Sequence, residues 1–186
     1  ILNNLGSIYV SLGKTERARE VLERAVALSP TMAQAHVNLG NVDLLEGRYR
    51  PAERHYRQAV RLAPRMAEAY KGLGDALCLQ HRYEEAIVTF RHARRLDPEN
   101  GMILYDLGVT YALAGEEEAA IAALEEARRL SPDAPVIHYT LSELYTRQGR
   151  PEAARRALEE MLRLGGKVPQ SHVLSASRPL YSRLDG

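Results

Sequence analysis

The chain has 186 residues, with 25 lysines and arginines against 24 aspartates and glutamates, so its net charge is +1. A nearly neutral chain has no general attraction to nucleic acid or anionic lipid, and we expect neither as a partner. No stretch approaches the roughly 20 apolar residues that span a bilayer, and the single cysteine, Cys78, cannot form an internal disulfide. Membrane insertion and a disulfide-stapled fold are therefore excluded.

The sequence repeats itself with a fixed period of about 34 residues. The repeated leucines are Leu5, Leu39, Leu73, Leu107 and Leu141, and the repeated alanines are Ala18, Ala52, Ala86, Ala120 and Ala154. Such a period is typical of a solenoid, in which each unit packs on its neighbours. The predicted repeats are residues 1–32 (truncated), 33–66, 67–100, 101–134 and 135–168. Because the chain begins at Ile1, two residues into a complete unit, we expect it to be part of a longer protein.

Each repeat carries two helical patterns. In the first repeat, Leu2, Leu5 and Tyr9 share one helical face, and Gly13 follows where a helix C-cap is expected. A second helix is predicted to end before Pro30. The turn glycine recurs at Gly47, Gly115 and Gly149, and the proline recurs at Pro64, Pro98 and Pro132. No segment alternates as a strand does, so the predicted fold is all-α.

A further glycine lies in the middle of the first helices, at Gly6, Gly40, Gly74 and Gly108. Glycine inside a helix costs about 1 kcal/mol relative to alanine. Its recurrence at one place therefore predicts that the facing helix leaves no room for a larger side chain.

Several polar residues depart from or decorate this pattern. His81 stands where other units have the turn glycine, and we expect it to adopt the left-handed conformation. Asp43 replaces a repeated tyrosine, and we expect it to be partly exposed or paired with an arginine. Acidic residues precede arginines by four positions in pairs that predict solvated helix faces, among them Glu53/Arg57, Glu125/Arg129 and Glu159/Arg163.

The spacing of a large apolar residue, Leu-Gly, Tyr, Ala, a bulky residue, Ala and Pro resembles the tetratricopeptide repeat family. In the first repeat the pattern reads Leu2, Leu5-Gly6, Tyr9, Ala18, Leu22, Ala25 and Pro30. The resemblance covers residues 1–168, about five repeats. It implies antiparallel helix pairs in a right-handed superhelical solenoid, with a concave groove lined by the first helix of each pair.

Residues 169–186 leave the repeat pattern. Their apolar residues include Val173, Leu174, Leu180 and Leu184. An exposed last helix pair needs a polar surface or a cover, and we expect these residues to fold back onto the fifth repeat as a cap. A linker to a further domain and a segment that docks on a partner are the alternatives.

Patterns for catalysis or metal binding are weak. His36 and His138 share a repeat place with Leu2, Tyr70 and Leu104, so they are expected to be packed residues. No His-Glu-x-x-His or Cys-x-x-Cys spacing exists, and the glycines around Leu73 lie inside a predicted helix. Cys78 and His81 lack a third group that would orient the imidazole. We predict no enzyme activity, no cofactor and no metal.

The predicted partner site is the face of the first helices that lies roughly 130° from their packing face. Its residues are Asn38, Asn41, Leu44, Lys71, Asp75, Met102, Tyr105, Val109, Tyr139 and Glu143. The polar residues up to Asp75 are expected to contact a bound peptide, and the apolar residues from Met102 to Tyr139 are expected to form a pocket. The alternative is that the two tyrosines pack between successive repeats.

The leading interpretation of function is a non-enzymatic scaffold that binds a partner peptide or protein segment. Asn4 and Asn38 also resemble the asparagine ladder in the superhelical arm of O-GlcNAc transferases, although Gly72, Asp106 and Thr140 break that ladder. A substrate-recruiting arm of a larger glycosyltransferase is therefore the alternative. Self-association through the terminal repeats is a third interpretation. A cytoplasmic location is favoured and a periplasmic one stays open.

Overall fold

A computed structural model describes residues 1–167, which form ten α-helices and no strand. The tail predicted for residues 169–186 lies outside the described residues. The first helices of the pairs are α1 (Leu2–Ser11), α3 (Ala33–Leu45), α5 (Ala67–Cys78), α7 (Gly101–Leu113) and α9 (Pro135–Arg147). The second helices are α2 (Thr15–Leu28), α4 (Tyr49–Leu62), α6 (Tyr83–Leu96), α8 (Glu117–Leu130) and α10 (Pro151–Arg163). The predicted all-α class is confirmed.

Each first helix packs on the second helix that follows it, because a short turn reverses the chain between them. At the first turn, Gly13 has a φ of +65°. The N–H of Lys14 donates to the carbonyl of Tyr9 at 2.9 Å, and the N–H of Gly13 donates to Val10 at 3.0 Å. This pair of bonds closes a helix end in the Schellman manner. His81 adopts a φ of 60° at the corresponding turn, as the sequence predicted.

The second helices end before the prolines, as predicted. The helices α2, α4, α6 and α8 end at Leu28, Leu62, Leu96 and Leu130, two residues before the proline in each case. Proline disfavours the helical conformation in the residue before it, so the chain leaves the helix there and turns toward the next pair.

The described helices fall into two compact units. The first unit is Ile1–Leu96 and contains α1 to α6, and the second begins at Asp97 and contains α7 to α10. Within the first unit, α2 packs on α3 and α4 packs on α5, while the first helices α1, α3 and α5 pack side by side. Within the second unit, α8 packs on α9, and α7 also contacts α9.

The mid-helix glycines lie where a second helix approaches closely. A Cβ atom built on Gly40 would lie 2.7 Å from the ring of Tyr56, and one built on Gly108 would lie 2.6 Å from Leu124. Both distances are far below an ordinary contact, so the space is already filled. The close approach predicted from the recurring glycines is confirmed.

Across residues 1–167, every helix falls short of the length and apolar character that a membrane crossing requires.

Candidate partner-binding face

In the first unit, the first helices α1, α3 and α5 carry a set of polar side chains that we call the polar face. Its residues are Asn3, Gln34, Asn38, Asn41, Glu68, Lys71 and Asp75. One of its links joins α3 to α1: the Nδ2 of Asn38 donates to the Oδ1 of Asn3 at 2.9 Å. Asn38 is only 4% exposed. This predicted site residue therefore has part of its hydrogen-bonding capacity committed to a neighbouring helix.

A second link joins α3 to α5. The Nε2 of Gln34 donates to the Oε2 of Glu68 at 3.2 Å, and Glu68 is exposed. On α5 itself, the ammonium of Lys71 lies 2.9 Å from the Oδ2 of Asp75, one helical turn later. Lys71 is half-buried and Asp75 is buried. The structure therefore places these two predicted site residues together as an ion pair.

Asn41 joins the polar face to the interior through Tyr56. The hydroxyl of Tyr56 donates to the Oδ1 of Asn41 at 2.6 Å, and the tyrosine is fully buried. Its ring fills the space beside Gly40 and also beside Gly72 of the following pair, where a Cβ would lie 2.6 Å from the ring Cζ. Leu44, one helical turn after Asn41, is half-buried.

The predicted site residues of the second unit are more deeply placed. Tyr105 and Val109 are fully buried, and Tyr139 is buried in a cluster with Met161, against which Leu158 also packs. The Tyr139 hydroxyl donates to Glu143 at 3.4 Å, and burial raises the pKa of Tyr139. Met102 and Glu143 are half-buried. An apolar pocket at these residues stays a prediction, and a partner would reach the tyrosines only after neighbouring side chains moved.

A buried charge cluster lies between α2, α3 and α4 in the first unit. The carboxylate of Asp43, 1% exposed, accepts from Arg19 at 2.8 Å and from Arg48 at 2.8 Å. Glu46 lies 2.9 Å from the same atom of Arg19. The arginine pairing expected for Asp43 is confirmed, whereas partial exposure is wrong because the carboxylate is enclosed between α2, α3 and α4.

Two histidines adjoin this cluster. The Nε2 of His55 lies 3.7 Å from Asp43, and its Nδ1 lies 3.4 Å from the Nδ1 of His36. Burial, together with the neighbouring His36, lowers the pKa of His55 to about 4. Burial also raises the pKa of Asp43 to about 6 against the opposing effect of Arg19. Sequence reasoning missed this pairing; its signal was one imidazole on each of the two helices of a single pair.

The other histidines that the sequence singled out make contacts within the chain. His36 and His138 contact the carbonyls of Pro30 at 3.2 Å and Pro132 at 2.8 Å, consistent with the expected packed positions. The Nδ1 of His81 lies 2.7 Å from the hydroxyl of Tyr83, and Cys78 is buried. Among residues 1–167, no group of three or more His, Cys, Asp or Glu side chains is arranged to hold a metal ion.

Comparison with protein-family models gives matches along most of the chain. Two models, each described as tetratricopeptide repeat, match it: one at residues 1–65, 31–99 and 65–133, and the other at residues 111–176. A comparison with curated proteins gives no match.

Three solved structures illustrate what this chain is similar to. PilF of Pseudomonas aeruginosa is 27% identical with a TM-score of 0.83, and the match covers 90% of this chain and 76% of that chain. TTC0263 of Thermus thermophilus, a thermophilic tetratricopeptide repeat protein, is 28% identical with a TM-score of 0.75, covering 99% and 95%. YrrB, described as having an unusual peptide-binding site, is 20% identical with a TM-score of 0.67, covering 93% and 87%. At that identity the likeness to YrrB shows the fold alone.

Proposed function

The chain belongs to the tetratricopeptide repeat family, and we propose that it is a non-enzymatic scaffold that binds an extended peptide or protein segment along its first helices. The observation that carries the proposal is the polar face of α1, α3 and α5. There the side chains of Asn3, Asn38, Gln34 and Glu68 bond from one first helix to the next. The division into five repeats ending at residue 168, with residues 169–186 as a cap or linker, is part of this proposal.

The polar face supports a peptide ligand because of the groups it offers. Carboxamide side chains present both donors and acceptors, which match the N–H and C=O groups of an extended peptide backbone. Their links between helices hold them in place before a ligand arrives, which reduces the entropy lost on binding. Lys71 and Asp75 add one charge of each sign, so the face favours a peptide with mixed rather than single-sign charge.

The test of this proposal uses peptides selected on the intact chain from a random library and then measured by calorimetry. We expect Asn38→Ala combined with Lys71→Glu to weaken the selected peptides about tenfold or more, because both a backbone contact and a charge are lost. Arg57→Ala is the matched control, since Arg57 is an exposed α4 residue paired with Glu53. Equal affinity for wild type and the double variant, with helicity retained, would exclude the polar face as the site.

The second unit requires a different choice of variants. Truncating the buried Tyr105 or Tyr139 to alanine would cost about 3–5 kcal/mol of stability, as is usual for large buried aromatic residues. Loss of binding in such variants would therefore not distinguish a contact from unfolding. The half-buried Met102 and Glu143 are the informative positions, and a peptide that occupies the predicted pocket should bind more weakly to Met102→Ala.

The contacts in the first unit do not favour the substrate-recruiting arm of a glycosyltransferase. The place that follows Asn4 and Asn38 in the ladder is Gly72, whose space is filled by the ring of Tyr56. The asparagine ladder on which that alternative depends is therefore interrupted within the first unit.

A further inference from the structure

His36 of α3 and His55 of α4 face each other through their Nδ1 atoms, which lie 3.4 Å apart. The centroids of the two rings are 5.7 Å apart. A ring nitrogen lies only about 1.1 Å from the centre of its imidazole ring. A centroid separation this large therefore places both nitrogen atoms close to the line that joins the two rings. The two imidazoles meet end to end, and we call them the histidine pair.

The other ring nitrogen of His36 fixes the tautomer of this residue. Its Nε2 lies 3.2 Å from the carbonyl oxygen of Pro30. A carbonyl can only accept, so Nε2 carries the hydrogen and Nδ1 carries a lone pair. The same contact recurs in the fifth repeat, where the Nε2 of His138 lies 2.8 Å from the carbonyl oxygen of Pro132. The repeat fold therefore sets the orientation of His36 without help from His55.

Asp43 orients the second imidazole in the same way. The Nε2 of His55 lies 3.7 Å from the Oδ2 of Asp43. That oxygen is buried without a hydrogen-bond partner among residues 1–167, whereas Oδ1 of the same carboxylate accepts from Arg19 and Arg48. A carboxylate favours the tautomer with its hydrogen on the facing nitrogen, so the Nδ1 of His55 also carries a lone pair. The two lone pairs of the histidine pair consequently point at each other.

This arrangement matches the surroundings of histidines that bind metal ions. Such histidines donate their second N–H to a backbone carbonyl or a carboxylate, which fixes the tautomer and the ring orientation. His36 has the carbonyl and His55 has the carboxylate. Lone pairs that lie on one line suit an ion with two ligands, whereas the ligands of a tetrahedral zinc ion converge at about 110°.

The distance between the two nitrogen atoms is close to what a linear ion requires. Two metal–nitrogen bonds of about 2 Å span about 4 Å, and the present separation of Nδ1 atoms is 3.4 Å. The side chain of His55 is 31% exposed, so its ring can shift away from His36. Because the two nitrogens of an imidazole point in nearly opposite directions, the same shift would bring Nε2 closer to Asp43.

We propose that the histidine pair binds one copper(I) ion in linear coordination by two nitrogen atoms. Imidazole is a suitable ligand for copper, and the monovalent ion accepts two ligands in line. In the adjoining cluster, Arg19 and Arg48 already balance Asp43 and Glu46. A single added charge is therefore easier to accommodate there than the double charge of zinc or nickel. Neither histidine belongs to the polar face, so peptide binding there is tested separately.

The first experiment titrates the full chain with copper(I) under argon, in competition with bicinchoninate. The wild type should hold one ion. His36→Gln and His55→Gln should each bind it at least about 100-fold more weakly, because one of only two ligands is lost. His138→Gln is the matched control and should bind as wild type does, since His138 has the same carbonyl contact while Ala157 holds the place of His55. Far-UV circular dichroism confirms that the variants keep their helices.

The second experiment identifies the ligands without relying on any variant. X-ray absorption by the wild-type complex with one equivalent of copper(I) should show two nitrogen neighbours at about 2 Å and no sulfur neighbour. A tenfold excess of zinc(II) should leave the copper(I) in place, because zinc prefers four ligands in a tetrahedral arrangement.

Three results would overturn the proposal. Equal affinity in the wild type and both histidine variants, or a sulfur neighbour in the spectrum, would place the ion elsewhere, such as at Cys78. Release of copper(I) by zinc(II) would exclude the linear arrangement. A wild type that binds no copper(I) would mean that the two nitrogen atoms share a proton instead of a metal ion.

Discussion

The two units satisfy the polar side chains of their first helices in different ways. In the first unit several of these side chains bond to other helices, as Asn38 does to Asn3 and Asn41 does to Tyr56, beside the Lys71–Asp75 pair within α5. In the second unit, Thr110, Thr140, Ser142 and Thr146 bond to carbonyls three or four residues earlier in the same helix. One sequence period thus supports two designs: the first unit depends on contacts between helices, and the second depends more on apolar packing.

The largest expected effect concerns the space around Tyr56. Gly72→Ala should lower the free energy of unfolding by about 2–3 kcal/mol, because overpacking a filled core costs that much and the ring cannot retreat. It is held between Gly40 and Gly72 and by its bond to Asn41. In the second unit, Gly108→Ala meets the Cγ of Leu124 at 2.6 Å and the backbone oxygen of Ala120 at 3.2 Å. Because the leucine is smaller than the ring and can shift in part, a smaller loss of about 1–2 kcal/mol is expected. Urea unfolding of both variants measures the difference.

A double variant checks the cause of that loss. Adding Tyr56→Leu to Gly72→Ala should cost less than the sum of the single substitutions, because removal of the ring relieves the overlap. Strict additivity would show that Gly72 is required for a reason other than the ring.

The next effect concerns the dependence of stability on pH, which should come from the first unit. The pKa of Asp43 is raised to about 6, so its contribution to stability increases as the pH falls from 6 toward 4. The pKa of His55 is lowered to about 4, so its contribution decreases as the pH falls from 6.5 toward 4. The two contributions oppose each other within one cluster, which also contains His36, Glu46 and the arginines.

Removing either titrating group should reveal the contribution of the other to the pH dependence of stability. Relative to wild type, His55→Gln should gain about 1–2 kcal/mol between pH 6.5 and 4, and Asp43→Asn should lose about as much, after allowance for solvent screening. Urea unfolding at four pH values across this range provides the measurement. Parallel profiles for all three proteins would mean that the cluster does not titrate with folding. In that case the stability of the first unit would depend on pH no more than that of the second.

The smallest effect compares two turns. Gly115 has a φ of +84° with open space around it, so Gly115→Ala should cost about 1 kcal/mol from backbone strain alone. His81 already bears that strain at a φ of 60°, partly offset by its contact with Tyr83. His81→Ala should therefore cost about 0.5 kcal/mol or less, as is usual for a surface substitution that adds no new strain. A larger loss at His81 than at Gly115, measured by thermal unfolding, would contradict this ranking.

The sequence predicted those features that depend on local spacing. Helix ends follow from Pro30 and Gly13 and their repeats, and the left-handed turn at His81 follows from its place in the period. Partners between helices were harder to predict. Glu53 pairs with Arg57 as expected, but Glu125 bonds to Arg128 and also to Tyr145 on another helix. Which partner an acidic side chain takes depends on side-chain rotamers, and the repeat period carries no information on rotamers.

The depth of the predicted site residues could not be read from the sequence either. Successive residues on a helix differ by about 100° in direction, so a modest rotation of α7 separates a tyrosine that faces a groove from one that is enclosed. Tyr105 is fully buried, whereas Met102, three residues earlier, is half-buried. Helical periodicity identified the helix face and left its rotation undetermined.

The position of Tyr56 has a consequence for how such a chain can evolve. The places that match Gly72 in the two preceding repeats hold Asn38 and Asn4, and the second helix that faces Asn38 carries the smaller Leu22. An asparagine cannot occupy residue 72 while the ring remains, because its Cβ would overlap the ring. Placing an amide side chain there requires two mutations, with the tyrosine replaced first. Sequence change on the proposed binding face is thereby constrained by a tyrosine buried beneath it.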